Sequence, residues 1–371
     1  FSLVVLSLFA FAAAVLRGQP AGQVTTAATS LVRLLSWGGP LLIAMDGVRT
    51  TDGVMTMVRR LAVAGGLLAL LGMLQFVTGQ SLLGWVAGIP GVVVDANEVI
   101  LRGGFARASG TSMHPLEHST ALSAAVAPAL VLALHPGRAF AGVGSLVGWM
   151  SALMIALGSV ATVSRSAVIG FAVAVVAFVP ALPSRLRALI VLAGSILAAA
   201  GAVAFPGIFS TMVNLFMFTN DSSTDSRTDA LARIPEFAAS SPLFGIGFGT
   251  FLPRYYILDN QWAAVLVELG ILGFAVLLSL FTAAMMSAIG ASRATDDPRT
   301  RLIGRALAAS VLTVAVVFAF FDGLSFPIAA GTAFTLFGLC AALNAAAREE
   351  AARCVTEQER VPLATSPPAS I

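Results

Sequence analysis

The sequence predicts an all-α polytopic membrane protein with about ten transmembrane helices and two long extracytoplasmic loops. Composition is the first reason: 58% of the 371 residues are hydrophobic and only 11% are charged, where soluble domains carry roughly 25% charged residues. A water-soluble globule of this size would lack polar side chains to cover its surface. Apolar runs are the second reason, because stretches of the ~20 residues that cross a hydrocarbon core of about 30 Å recur along the whole chain. The third is an alternation of arginine between successive loops.

Spans are expected at 1–16, 24–45, 58–78, 116–134, 140–162, 166–182, 187–206, 262–290, 302–321 and 325–346. The first lacks a preceding basic segment, so it reads as a span cut at its start rather than a signal-peptide core. The second carries Arg33 at its middle, and an intramembrane arginine by default faces a cavity or a partner. Two connections are long, 79–115 and 207–261, and loops of that length in a compact protein are usually functional. In the second, Phe209 to Phe218 is apolar enough to lie in the membrane interface. Asp225, Ser226 and Thr228 then offer cap oxygens to a short helix through Arg233, which Pro235 interrupts or restarts and Ser241-Pro242 ends. Gly245, Gly247 and Gly249 follow at alternate positions, which permits tight turns and close backbone approach to a ligand. Residues 1–346 form one transmembrane domain, and 347–371, charged and then rich in Pro and Ser, reads as a disordered cytoplasmic tail.

Arginine placement orients the chain. One set comprises Arg49, Arg59 and Arg60; Arg138; Arg185 and Arg187; Arg293, Arg299, Arg301 and Arg305; and Arg348, Arg353 and Arg360. These lie in short loops and at the C-terminal end, and the positive-inside rule makes them cytoplasmic. The other set, Arg17, Arg102, Arg107, Arg165, Arg227, Arg233 and Arg254, is spread over the longer loops and faces outward.

All 21 basic residues are arginine, since no lysine occurs. Walker A phosphate binding and Schiff-base chemistry are thereby excluded, because both need the lysine amine. The basic pI comes from loop arginines and not from a basic cluster interleaved with aromatics, so no nucleic-acid partner is implied. Cys340 and Cys354 lack metal-ligand spacing and read as reduced and incidental. Gly245-x-Gly247-x-Gly249 lacks Rossmann spacing, and no nucleophile elbow is present.

The outward arginines carry the sharpest chemistry. Arg107 precedes Gly110 and His114-Pro115, Arg165 stands at the outer end of a span, and Arg227 follows a polar, acidic run. A guanidinium is a fixed fork of donors matched to phosphate oxygens, so several converging on one outer cavity would hold a diphosphate. Each also has an ordinary reading: snorkelling to headgroups, or pairing with Asp225 or Asp229. His114, Glu117 and His118 cluster at the mouth of the fourth span. One helical turn is an awkward geometry for zinc, so no metal is assigned, and His114 or Glu117 is read as a hydrogen-bonding or proton-transfer group. The ordinary reading is a solvated helix start with Glu117 at the favourable end of the dipole. Asp259-Asn260 precedes the eighth span, and Glu268 lies within it on the face of Gln261. A carboxylate there suits a base that takes a proton from a hydroxyl, or else a cap paired with an arginine. Asp322 is a further acid of the same kind.

Four stretches then resemble, in order, the motifs of the O-antigen ligase and O-antigen polymerase superfamily of bacterial envelope glycosyltransferases. Arg107-Ala-Ser-Gly110-Thr-Ser-Met-His114-Pro115 resembles its Arg-Gly-Pro loop, and Thr162-Val-Ser164-Arg165-Ser166 its Ser-Arg span end. Ser226-Arg227 through Ser241-Pro242 to Gly245, Gly247 and Gly249 resembles its Arg-to-Gly-Gly periplasmic loop. Asp259-Asn260 with Gly270 and Gly273 resembles its motif of His-Asn, nine residues, then Gly-x-x-Gly, with the departure that an acid stands where ligases have histidine. The resemblance spans roughly 60–346. It implies a C-type glycosyltransferase-like fold in the bacterial inner membrane, moving glycan from a polyprenyl diphosphate to a hydroxyl on lipid, sugar or protein at the outer face, without cofactor. By the same resemblance Arg165 and Arg227 grip the diphosphate and Asp259 is the base, with Arg107, His114, Gly245, Gly247, Asn260 and Glu268 around the substrate. The rival reading is a transporter or flippase for an anionic lipid-linked solute. Such proteins usually show paired halves with broken helices at the bilayer midplane, whereas the polar residues here gather at one surface.

Overall fold

A computed structural model describes residues 2–90, 100–102, 104–135, 143–204, 206–207, 210, 213, 222–251 and 256–360, except for the side chains of 87, 204, 222–227 and 354–360. The expected apolar runs are helices: α1 (Ser2–Leu16), α2 (Ala21–Gly47), α3 (Thr51–Thr78), α4 (Pro115–Leu134), α5 (Gly144–Ala161), α6 (Arg165–Phe178) and α7 (Ser184–Ala204). After α8 (Ser222–Ala238) come α9 (Gln261–Arg293), α10 (Pro298–Val317) and α11 (Pro327–Arg360). Among the described residues, eight helices are long and apolar enough to cross a membrane, and α1 and α6 are shorter apolar helices. The chain is an all-α, multi-pass membrane protein.

Side-chain caps fix several starts. Thr50 accepts from the Gly53 N–H at α3, and Asp297 accepts from the Arg299 and Thr300 N–H groups at α10. Both satisfy backbone donors that a helix start leaves unpaired.

The bundle is built around α4, which is buried along nearly its whole length and packs against α3, α5, α6, α10 and α11. Small residues let the neighbours close in, with Gly66 of α3 against Ser151 and Gly148 of α5 against the backbone of Ala133. Pro128 interrupts the α4 hydrogen-bond ladder at the Ala124 carbonyl, and the Ser310 hydroxyl of α10 donates to that carbonyl at 2.8 Å. The bond that proline removes is thus replaced from a neighbouring helix. By contrast, α7 is exposed along its length, and Arg33 lies exposed on α2 without a hydrogen-bond or ion-pair partner among the described residues.

Polar contacts between connections fall at two ends. At one, Arg299 pairs with Asp52 at 2.8 Å, Arg59 donates to the His135 carbonyl at 3.0 Å, and Thr51 donates to Glu350 at 2.9 Å. At the other, Arg17 donates to the Gly245 carbonyl, Ala108 to Ala161, Gln261 to Phe318 and Ile328 to Glu117. The first end carries the arginine-rich short connections and the second carries the two long ones. For the arginines whose contacts are described, Arg59 and Arg299 at one end and Arg17 and Arg107 at the other, the grouping in space is the one read from charge.

At the long-loop end, α9 is broken. Gly270 has φ 67° and ψ −167°, outside the helical region. The break strands two carbonyls and two N–H groups inside an apolar bundle, where unpaired backbone is costly. The segment 242–247 takes all four: Ile271 and Leu272 N–H donate to the Pro242 and Leu243 carbonyls at 2.9 and 3.2 Å. In return, Val267 and Glu268 carbonyls accept from Ile246 and Gly247 N–H at 3.2 and 2.9 Å. The backbones meet so closely that a Cβ on Gly245 would overlap the Glu268 carbonyl, and one on Gly270 would overlap that of Leu243. Arg17 and Gln19, in the turn after α1, hold the outer side by donating to the Gly245 carbonyl at 3.3 Å and the Ile246 carbonyl at 2.8 Å.

Three expectations change. The last helix runs on to Arg360, past the boundary at 346, because Ala, Arg and Glu form helix well although the charged ones do not belong in a bilayer. Residues 361–371 lie outside the described residues, as does Phe209 to Phe218 apart from Ser210 and Val213. The short helix expected through Arg233, with Pro235 interrupting or restarting it, starts at Ser222 and runs through the proline to Ala238. The first long loop carries a two-stranded hairpin, Leu101–Arg102 with Phe105–Ala106, turning at Gly104.

Gly245→Ala should destabilise the protein by about 3 kcal/mol or more, the range of a severe core change. Gly18→Ala, with a similar positive φ of 66° but open space around it, should cost about 1 kcal/mol. Thermal melts of the two variants in one detergent check the contrast, and equal losses would mean that the close approach at α9 is not formed.

Candidate active site

The segment after the hairpin lies across the turn between α5 and α6. Arg107 N–H donates to the Ile100 carbonyl at 2.8 Å, Ala108 N–H to the Ala161 carbonyl at 3.1 Å, and Arg107 Nε to the Thr162 carbonyl at 3.0 Å. That carbonyl is three residues from Arg165, the first residue of α6. Between them Val163 is fully buried with φ 47°, a conformation that a β-branched residue adopts only where its surroundings impose it. A cation in the first helical turn opposes the helix dipole, so Arg165 sits where an anion is favoured and a cation is not. Burial pushes the Arg107 guanidinium down to about 10, with the Arg102 charge adding to the effect. It remains charged near neutrality.

His114 caps α4, its Nδ1 accepting from Leu116 N–H at 3.2 Å, which leaves the ring proton of the neutral form on Nε2. Burial, with the Arg107 charge adding to it and the Asp259 charge opposing, lowers its pKa to about 4. His114 therefore stands within the fields of both Arg107 and Asp259. Glu117 is not a solvated helix start. It is fully buried, and its two oxygens accept from Met113 N–H at 2.9 Å and Ile328 N–H at 2.6 Å, tying the starts of α4 and α11 together. His118 is also fully buried, and its ring packs on Gly72 and Gly110. The three side chains, adjacent in sequence, serve three different contacts.

Asp259 has φ 44°, an uncommon backbone for a residue other than glycine, immediately before α9. Asn260 caps that helix, its Oδ1 accepting from Trp262 and Ala263 N–H at 3.0 and 3.1 Å. That oxygen, expected to face substrate, is occupied by the cap. Gln261 N–H donates to the Phe318 carbonyl at 2.8 Å and its Oε1 accepts from Leu324 N–H at 2.6 Å, which brings the turn after α10 alongside. Asp322 lies in that turn, half-buried and hydrogen-bonded by Ser325. Burial and the nearby Asp259 charge both push its carboxyl up, while Ser325 opposes. Little in the sequence pointed to Asp322, yet it shares this site.

The remaining expected site residues have other work. Gly245 packs on the α9 break, and a Cβ on Gly247 would meet Thr250 and Ala14, so neither offers its backbone to an open cavity. Glu268 is buried beside the break, and one of its oxygens accepts from Phe251 N–H at 3.3 Å, which ties the loop to α9. The Arg227 side chain lies outside the described residues. Its backbone is in α8, three residues before Ala230, which is buried in a small cluster with Leu258, Ala264 and Val267 of the Asp259 region. Arg233 of the same helix lies over the Tyr256 ring at 5.4 Å.

Gln75, which sequence reasoning passed over, anchors this end. Its Oε1 accepts from Ser109 and Gly110 N–H at 3.2 and 2.7 Å, and its Nε2 donates to the Ser81 and Gly110 carbonyls at 2.7 and 2.8 Å. The signal was there, since a lone amide among the apolar residues of α3 has to be bonded.

Residues 149–278 match the O-antigen ligase family. No curated protein matches the chain. A solved structure, "Structural coordination of polymerization and crosslinking by a peptidoglycan synthase complex", contains a chain similar at 18% identity and TM-score 0.42, over 92% of this chain and 95% of that one. The matched segment contains Arg165, the Arg227 helix and Asp259. Over that segment the chain is similar to the O-antigen ligase family, a likeness that supports a glycan-transferring membrane enzyme.

Proposed function

We propose that the protein transfers a glycan from a polyprenyl diphosphate carrier to a hydroxyl of a glycan, lipid or protein acceptor, at the outer face of the bacterial inner membrane. The long-loop end faces outward, as the arginine distribution supports. One observation carries the reading: Arg107 bonds the carbonyl of Thr162 beside the start of α6, and together with Asp259 it acts on the ionisation of His114. A guanidinium and an imidazole from one connection and a carboxylate from another thus bear on one place, beside the turn that leads into α6.

In this scheme Arg165 and Arg227 hold the diphosphate, with Arg107 and the Nε2–H of His114 beside them. The acceptor oxygen attacks the anomeric carbon as the bond to the diphosphate oxygen breaks, Asp259 takes the hydroxyl proton, and the bonding pair leaves on the diphosphate. Negative charge grows there during the step, and fixed guanidiniums aimed at it lower the barrier. The starts of α4, α6, α9 and α11 lie at the same end, so their dipoles add positive potential. The scheme calls on no nucleotide or redox group.

A transporter would draw support from the broken α9, because discontinuous helices build many transport sites. Here four backbone groups beside the break are bonded to 242–247, so those four are not open to a cargo.

Arg165→Ala should reduce transfer by at least a hundredfold, in line with losing one preorganised donor to a developing anion. The assay is purified protein with a labelled lipid-diphosphate glycan, and full activity would end the assignment. A pH measurement checks the burial of His114. Because its folded pKa is near 4 and its unfolded one near 6.5, the unfolded chain binds more protons in that window, and stability falls as pH falls through it. His114→Asn keeps a capping oxygen but removes the titrating ring, so melting points should drop less between pH 7 and 4.5 in the variant than in the wild type. An equal drop would place His114 in solvent.

A further inference from the structure

We infer that Gln75 is a positioning residue for the anion-binding arginines, acting through the backbone of the Arg107 segment; the inference rests on the function proposed above. Gln75 is buried in α3, one turn from its outer end, and its amide makes four hydrogen bonds. Three go to Ser109 and Gly110, and the fourth goes to Ser81 across the opposite side of the helix end. An amide is suited to this because it accepts and donates at once. A single side chain therefore holds both the N–H and the carbonyl of Gly110.

The consequence passes along a short chain. Gly110 has φ 58° and lies flat on the His118 ring, where a Cβ would overlap the imidazole, so the segment is fixed from below as well as from the side. Ala108 is bonded to Ala161, and Arg107 through Nε to Thr162. Among the described residues Nε is the only bonded nitrogen of the Arg107 guanidinium, which leaves its terminal NH2 groups to face an anion. With the amide gone, the segment keeps its sequence and charge but loses the register that aims Arg107 along the α5–α6 turn.

Arg107 is placed beside the diphosphate, in contact before and during transfer, so losing its aim should weaken substrate binding more than turnover. Gln75→Met keeps the volume and removes all four bonds. It should raise KM for the lipid-diphosphate donor about tenfold with kcat within about threefold, measured on folded, monodisperse protein. Gln75→Glu retains the two accepted bonds and should fall between. The deciding test is a double-mutant cycle: in the Arg107→Ala background, Gln75→Met should change kcat/KM by less than about threefold, because the group it positions is already gone. An undiminished loss in that background, or no loss in either, overturns the inference. If Gln75→Met does not fold, Gln75→Glu carries the same cycle. Should Arg107→Ala or Arg165→Ala prove fully active, the proposed function falls; should they be costly and Gln75 variants costless, only this inference falls.

Discussion

In hydrocarbon a backbone N–H or carbonyl without a partner has no water to turn to, and this constraint explains each irregular part of the fold. Where α9 breaks at Gly270, the segment 242–247 supplies the four missing bonds. Where Pro128 interrupts α4, Ser310 supplies one. Where helices begin at the long-loop end, Glu117 bonds Met113 and Ile328 N–H, and Asn260 closes the start of α9. Loops that would otherwise be free to move are thereby fastened to the ends of spans.

The fastening is what makes chemistry feasible there. The left-handed backbone at Val163 is rare for a β-branched residue and that at Asp259 is uncommon; Val163 stands two residues from Arg165, and Asp259 is itself assigned to the reaction. Strain of this kind persists only when the surroundings over-determine it, as the bonds around 107–110, 161–162 and 260–261 do. In the proposed mechanism, the same rigidity keeps several cationic groups aimed at one anion before it arrives.

Much of the fold was legible because apolar length is a strong signal: each of the ten expected spans is a helix, and Arg59 and Arg299 meet the end opposite to that of Arg17 and Arg107, as their alternation predicts. The site was legible as a list of residues but not as an assignment of tasks. Gly245 and Gly270 both stood out in the sequence, yet nothing in a linear reading says that they face each other, so close approach to backbone was taken for close approach to substrate. Glu117 and Asn260 read as chemistry because carboxylates and amides near a cleft do so in general, whereas here their oxygens serve backbone donors. Gln75 was hidden for the opposite reason, a single polar residue whose importance comes from partners distant in sequence.

The central claim is that guanidiniums from separate connections meet around one pyrophosphate. A cryo-electron microscopy structure in a lipid nanodisc with a bound polyprenyl diphosphate tests it directly. The account predicts diphosphate density at the long-loop end within hydrogen-bonding distance of Arg107, Arg165 and Arg227, with Asp259 facing the open side. Density at the arginine-rich end, or Arg165 and Arg227 on remote surfaces, would contradict it.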